Sequence, residues 1–350
     1  MRGTTTVRPT GRTRRVVLRT TPTGSLRPHH LDVVETVLPT CGAGDVLVRN
    51  VWLSIDPSVR IRLSAETPKG YLPPFRPGQG LEGLALGVVE QSENPLFAVG
   101  DLVEHTQGYR EHAVLTADTS TIGGYGSPRV VRPDGVPEQW FLGPLGSSGL
   151  TAYAAIVGIL DVQRSDTVWV SSAAGAVGGL AAALASARGS TVIGSAGSPE
   201  KVEYLRSLGL SAAFDYHDGR LIDRLSDAAP GGIDAYVDCV GGEHLIAAID
   251  ALRTNGRIAM CGQMSQYDEG AIGLPGNLFQ FVSKNLSMRG FRAGSFLHLE
   301  GEMRAEVSAL LRSGRIHYRE WVFDGIGSVP TALVSMLAGE NVGKTLVRLS

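Results

Sequence analysis

Cysteine is scarce: the 350 residues contain three, Cys41, Cys239 and Cys261, odd in number and widely spaced. Such spacing supplies neither a disulfide framework nor a Cys-x-x-Cys metal clip, and it suits a reducing, cytoplasmic setting. The eight histidines include no helical pair, so the sequence offers no visible scaffold for zinc and no metal ligand is assigned. No apolar run reaches membrane-spanning length, and the opening residues lack the apolar core of a secretory signal, so no membrane partner is expected. Charge nearly cancels, with 32 basic against 34 acidic residues, which removes the electrostatic case for nucleic acid as a partner. Acid is also missing locally. None precedes Asp32, while residues 1–15 carry five arginines, the texture of a basic disordered leader, with a transit peptide as the alternative.

A second acid-free stretch, 167–199, organises the chain. Thr167-Val-Trp-Val170 is rich in β-branched and aromatic residues, and it breaks into Ala173-Ala-Gly-Ala-Val-Gly178. An alanine-rich helical segment and a second apolar run, Thr191–Gly194, follow, giving the strand, turn, helix, strand order of a parallel sheet. The turn is a dinucleotide fingerprint with alanine in its first glycine slot. Gly175 lets backbone approach a pyrophosphate, Gly178 with Ala181–Ala183 lets the helix pack close to the sheet, and the helix opening offers free N–H groups to phosphate. An NAD-binding unit places an acid after the second strand to hold the adenosine ribose. Here that place reads Gly194-Ser-Ala-Gly-Ser198, with Lys201 one turn on, and a ribose bearing an extra phosphate fits better. The expected cofactor is NADP(H).

The length allows two domains. From Arg14 to about Gly143, Gly and Pro punctuate short β-like runs: Val16–Leu18, Leu31–Val37, Asp45–Leu53, Leu84–Val89, Leu102–His105 and Glu111–Leu115. After Gly146 the texture changes to strand–helix alternation. Helices are expected over Pro199–Leu208, Arg220–Ala228 and Gly241–Leu252, with strands over Ala212–Phe214, Ile233–Asp238 and Gly256–Cys261. Leu299, Met303, Val307 and Leu310 mark an amphipathic helix within Leu297–Leu311. The tail returns to strand-like runs, Trp321–Phe323 and Thr345–Leu349, around a short helix that Gly339 caps. The expected division is a β-rich module of residues 1–140 with 316–350, and a nucleotide-binding module of residues 141–315.

This order resembles the medium-chain dehydrogenase/reductase superfamily, and within it the zinc-free, NADPH-dependent double-bond reductases: prostaglandin, alkenal and curcumin reductases. The matching stretches include Ser54-Ile-Asp-Pro57 with Arg60, Gly149-Leu-Thr-Ala-Tyr153, Ala173–Gly178, Ala196–Lys201 and Tyr236–Gly242. Gly256–Gly262, Ser265-Gln-Tyr267 and Gly339–Lys344 complete them, so the likeness runs over roughly residues 14–350. It implies an α/β fold: a doubly wound parallel-sheet (Rossmann) nucleotide domain plus a β-rich GroES-like barrel catalytic domain. Zinc enzymes of the superfamily carry Gly-His-Glu where this chain has Gly80-Leu81-Glu82. Departures are Ser58 for a usual tyrosine, Cys239 for asparagine and Asp268 for asparagine.

The resemblance implies NADPH-dependent reduction of the C=C bond of an α,β-unsaturated carbonyl, by hydride transfer to the β-carbon. A quinone reductase of the same superfamily and a non-catalytic NADP-binding protein are the alternatives. Reduction of an activated alkene needs a donor at the carbonyl oxygen where enolate charge develops, and Tyr267 is the candidate catalytic residue. The cofactor-binding set is Ala174, Gly175, Ala176, Val177, Gly197, Ser198, Lys201, Tyr216, Cys239, Val240, Cys261, Gly262, Phe291 and Asn341. Cys239 and Cys261 read as small apolar fillers, having no adjacent His or Lys. The family's habit suggests a homodimer through edge strands of the nucleotide domain.

Overall fold

A computed structural model of the chain describes residues 11–116, 128–268 and 275–349. Residues 1–10 of the arginine-rich leader lie outside the described residues. Two compact units emerge: one reaches to Leu142 and takes in Val322–Ala338 and the segment from Thr345, and the other holds Gly143–Trp321 with Gly339–Lys344.

The first unit is β-rich. With numbering that runs along the chain, its strands are β1 (Arg12–Leu18), β2 (Leu31–Val37), β3 (Val46–Ser54), β4 (Ala85–Ser92), β5 (Leu102–His105), β6 (His112–Leu115) and β7 (Arg129–Val130). The tail supplies β14 (Glu320–Asp324) and β15 (Lys344–Arg348), and two helices are α1 (Ser58–Arg62) and α9 (Val329–Leu337). β1 and β2 pair antiparallel, and a seven-stranded sheet runs β14-β15-β3-β4-β5-β7 with β6 on β3. Buried Val16, Leu18, Leu53, Phe75, Leu333 and Val347 share one core. Removing such side chains from water is what holds these short strands together.

The second unit holds β8 (Thr167–Val170), β9 (Thr191–Ala196), β10 (Ala212–Asp215), β11 (Ile233–Asp238), β12 (Leu252–Met260) and β13 (Ser287–Gly290). Its helices are α2 (Ser147–Tyr153), α3 (Ala176–Ala187), α4 (Pro199–Ser207), α5 (Leu221–Ala228), α6 (Gly242–Ala251), α7 (Gln280–Ser283) and α8 (Glu300–Arg312). All six strands are parallel, in the order β10-β9-β8-β11-β12-β13. Numbered from β8, that is 3-2-1-4-5-6, the doubly wound order whose switch point falls between β8 and β11. Trp169, fully buried, stacks on Tyr236 at 4.4 Å between ring centroids and anchors the core beneath the switch point.

The expected strands at Leu31–Val37, Leu102–His105 and Ile233–Asp238 coincide with β2, β5 and β11. β12 starts at Leu252 rather than Gly256, because Leu252 pairs with Ile233 ahead of a register shift. β7 and β13 are the unexpected strands, each short and at a sheet edge. Gly339 follows α9 at φ 72°, the left-handed conformation a helix C-terminus requires.

Candidate functional site

The five strands β9, β10, β11, β12 and β13 end at Ala196, Asp215, Asp238, Met260 and Gly290. The next residues are Gly197, Tyr216, Cys239, Cys261 and Phe291, each named from sequence as a cofactor contact. The register places them side by side: Ala196 pairs with Asp215, Asp238 with Met260, and Met260 with Gly290. In an open parallel sheet the crevice beyond the carboxyl ends, beside the switch point, is where ligands bind. The fold thus brings residues scattered over nearly a hundred positions into one row.

The fingerprint turn lies at the middle of that row. Ala173 N–H donates to Ser195 O at 3.0 Å, tying the turn to β9. Gly175 is the N-cap of α3, and no side chain caps the helix there. The first-turn N–H groups, beginning at Ala176 and Val177, are therefore available to an anion. A Cβ on Gly178 would stand 2.3 Å from Ser172 O, so only glycine lets α3 sit this close to the turn. A segment of the tail lies along the same turn. Gly343 N–H donates to Ala174 O at 2.7 Å, and Gly343 forms a β-bridge with Gly175. Asn341 stiffens this segment from within, its Nδ2 donating to Gly343 O at 2.8 Å.

One end of the row is built by β9, β10 and α4. Ser198 caps α4, its Oγ accepting from Lys201 N–H at 3.3 Å. The Lys201 ammonium donates to Gly339 O of the tail segment, and burial pulls its pKa down. Tyr216 leans across Gly197, so that a Cβ there would stand 2.9 Å from the Tyr216 hydroxyl. Its ring rests against His217 and His244, at 4.1 and 4.9 Å between centroids, and burial raises its phenol pKa. His244 in turn stacks on Trp169 at 5.8 Å, and burial lowers its pKa to about 4, so it is neutral at neutral pH.

On the other side of the switch point, Asp238 clamps the loops after β11 and β12. Its Oδ1 accepts from Val240 N–H, Gly241 N–H and the Tyr236 hydroxyl at 2.7–3.0 Å. Its carbonyl accepts from Cys261 N–H and Gly262 N–H at 2.8 and 3.2 Å. Burial pushes the carboxyl pKa up, against the pull of those donors. Cys239 N–H donates to Ser171 Oγ at 3.0 Å. The neighbouring Cys239 thiol, together with burial, pushes the Cys261 thiol far above the usual thiol range, and Cys261 Sγ donates to Ala259 O at 3.8 Å. Ser265 Oγ donates to Val240 O at 2.7 Å and folds the next turn back, so that Tyr267 comes over Gly262. A Cβ on Gly262 would stand 3.4 Å from the Tyr267 hydroxyl. Phe291 packs edge-on against Phe296, 5.6 Å between centroids.

Three groups in this unit escaped the sequence. Ser171, fully buried, ties β8 to β11 beneath the row, yet serine after a strand carries no signal of its own. His244 is a solitary histidine on a helix. Arg319 lies over the Tyr204 ring at 5.0 Å, and its carbonyl accepts from Lys344 N–H at 2.9 Å, a long-range pairing that no local pattern announces.

In the first unit, Ser58 opens α1 and is exposed. Phe75 of the proline-rich loop is buried under the Arg62 guanidinium, 3.8 Å from its ring centroid, so it belongs to the core. Leu81 is fully buried, and its carbonyl accepts from Arg110 Nη2 at 2.9 Å.

Comparison with known proteins matches residues 14–122 to a family described as the N-terminal domain of oxidoreductase, and residues 176–312 to one described as zinc-binding dehydrogenase. The donors for zinc do not fit that second description: among the described residues no three of His, Cys, Asp or Glu stand together as a metal site. The chain is 35% identical to the 2-alkenal reductase (NADP(+)-dependent) of Nicotiana tabacum, covering 96% of this chain and 97% of that one. It is 31% identical to the NADPH-dependent curcumin reductase of Escherichia coli (strain K12), over 97% of both. The crystal structure of CurA from Vibrio vulnificus in complex with NADPH superposes with a TM-score of 0.88 at 30% identity, over 96% of this chain and 99% of that one.

Proposed function

The chain belongs to the NADP-dependent double-bond reductases of the medium-chain dehydrogenase/reductase superfamily, and from that premise we propose that it reduces the C=C bond of an α,β-unsaturated carbonyl compound without a metal. One observation carries the site assignment: the row of residues just beyond the strand ends, centred on an uncapped α3. The cofactor is NADP(H), and when bound it supplies the hydride taken up by the β-carbon of the substrate.

The protein's own groups bind, orient and donate. The first-turn N–H groups of α3 would hold the pyrophosphate, with Gly175 giving it room. Lys201, now on Gly339 O, would hold the ribose phosphate through a charge-assisted contact, with the Tyr216 hydroxyl across Gly197 beside it. The loops at Cys239–Val240 and Cys261–Gly262 floor the cleft, with Phe291 at the end of the row and Asn341 reaching in from the tail segment. Tyr267 donates to the substrate carbonyl oxygen, where charge accumulates as the enolate forms.

A homodimer is part of the same reading. β13 is the edge of the six-stranded sheet, its residues are exposed, and Phe279 and Val282 nearby are 76% and 74% exposed. An open edge beside apolar side chains suits pairing with a second copy. The three free cysteines favour a reducing, cytoplasmic location. No helix among the described residues is long and apolar enough to cross a membrane.

The test is NADPH consumption against unsaturated ketones, aldehydes and thioesters alongside quinones. Turnover of the unsaturated ketones, aldehydes or thioesters to products with a saturated C–C bond and an intact carbonyl supports the reading. Turnover of quinones alone overturns it.

A further inference from the structure

Two of the three cysteines stand together at the cleft. Asp238 and Met260 are the last paired residues of β11 and β12, and Cys239 and Cys261 come next on each. The ladder ends at that pair, closed by Cys261 N–H donating to Asp238 O at 2.8 Å, so the two cysteines are the first residues beyond it on neighbouring strands. Neighbouring strands lie about 4.8 Å apart, inside the roughly 4.4–6.8 Å separation of Cα atoms that a disulfide spans. The Cys239 thiol lies near enough to raise the pKa of Cys261, whose Sγ donates to Ala259 O at 3.8 Å. Cys239 is buried at 8% exposure, whereas Cys261 is partly exposed, so a small oxidant reaches the pair from one side.

We propose that Cys239 and Cys261 form a disulfide on exposure to a hydroperoxide, and that the oxidised protein no longer takes up NADPH. In that reaction two S–H bonds and the peroxide O–O bond break, and one S–S bond forms. Both sulfurs are oxidised and the hydroperoxide is reduced. Its two oxygens, with the two thiol hydrogens, leave as one alcohol and one water (two waters from hydrogen peroxide). The S–S bond draws the loop after β11 against the loop after β12. These loops are already held by Asp238 and by the bond from Ser265 to Val240, so the strain falls on the floor of the cleft. The loss of NADPH rests on the cofactor site proposed above; formation of the disulfide rests on the two cysteines following one register pair.

The experiment uses the full chain with Cys41→Ser, a position outside the nucleotide unit, treated with hydrogen peroxide and then digested without reduction. The expected product is one peptide pair joined between Cys239 and Cys261, lighter by two hydrogens, with both thiols lost to titration and both recovered with dithiothreitol. NADPH fluorescence on titration is lost in the oxidised protein and returns on reduction, and saturating NADPH added first slows the oxidation. Cys239→Ser in the same background gives no joined peptide. Persistence of both free thiols, or sulfinic acid at Cys261 without a cross-link, overturns the disulfide. A cross-link that leaves NADPH binding intact overturns its effect on the cofactor and shows that these two loops do not floor the nucleotide cleft.

Discussion

Tyr216 reaches across the first residue beyond β9: its hydroxyl stands 2.9 Å from where a Cβ on Gly197 would be. The contact follows from the register, because Ala196 pairs with Asp215 and the next residue of each strand must meet. Gly197→Ala therefore has to push the phenol aside. Loss of one hydrogen bond to the ribose phosphate costs about 1–1.5 kcal/mol, so NADPH affinity falls roughly tenfold while NADH affinity stays. Fluorescence titration with both cofactors checks this, and an unchanged preference for NADPH removes Tyr216 from the ribose site.

Lys201→Ala tests the same end of the cleft by charge. A charge-assisted phosphate contact is worth about 1.5–3 kcal/mol, which predicts roughly 10- to 100-fold weaker NADPH and little change for NADH. Equal losses for both cofactors would place the lysine in the tail contact with Gly339 alone.

Tyr267→Phe keeps the ring over Gly262 and removes the donor. Removing one preorganised donor to a developing oxyanion lowers turnover by about 100-fold, with NADPH affinity nearly unchanged. Steady-state kcat together with a cofactor titration separates the two effects. An unaltered kcat excludes Tyr267 from the chemistry.

The stability of the folded chain should depend on pH through two buried histidines. Burial lowers His105 from 6.5 to about 3 and His244 from 6.5 to about 4. Between those values and 6.5 the unfolded chain binds protons that the folded chain refuses, so stability rises with pH there. The contribution is complete above pH 6.5 and is lost as pH falls toward 4 and then 3. Thermal midpoints measured from pH 7 down to 4 should therefore drop, and His244→Phe should flatten part of that slope. A flat profile would mean that neither ring is held neutral by the fold.

Much of this architecture was legible in the residues because it is local. Trp169 and its neighbours announce a strand, Gly175 and Gly178 a tight turn into α3, and the missing acid before Glu200 the choice of NADP(H). What escaped is long-range. Nothing near Cys239 or Cys261 says that the strands before them are neighbours in register, and apart they read as apolar filler. Arg319 and Gly343 meet only because the chain returns after α9 to lie along the fingerprint turn. β13 is short, exposed and poor in β-branched residues, and its place beside β12 decides it.

The most direct measurement follows hydride rather than rate. An unsaturated ketone is reduced with NADPH carrying deuterium at the transferable position, and the product is identified by mass and NMR. The account predicts a saturated ketone with deuterium on the former β-carbon and an intact carbonyl. An allylic alcohol with deuterium on the carbonyl carbon would contradict it.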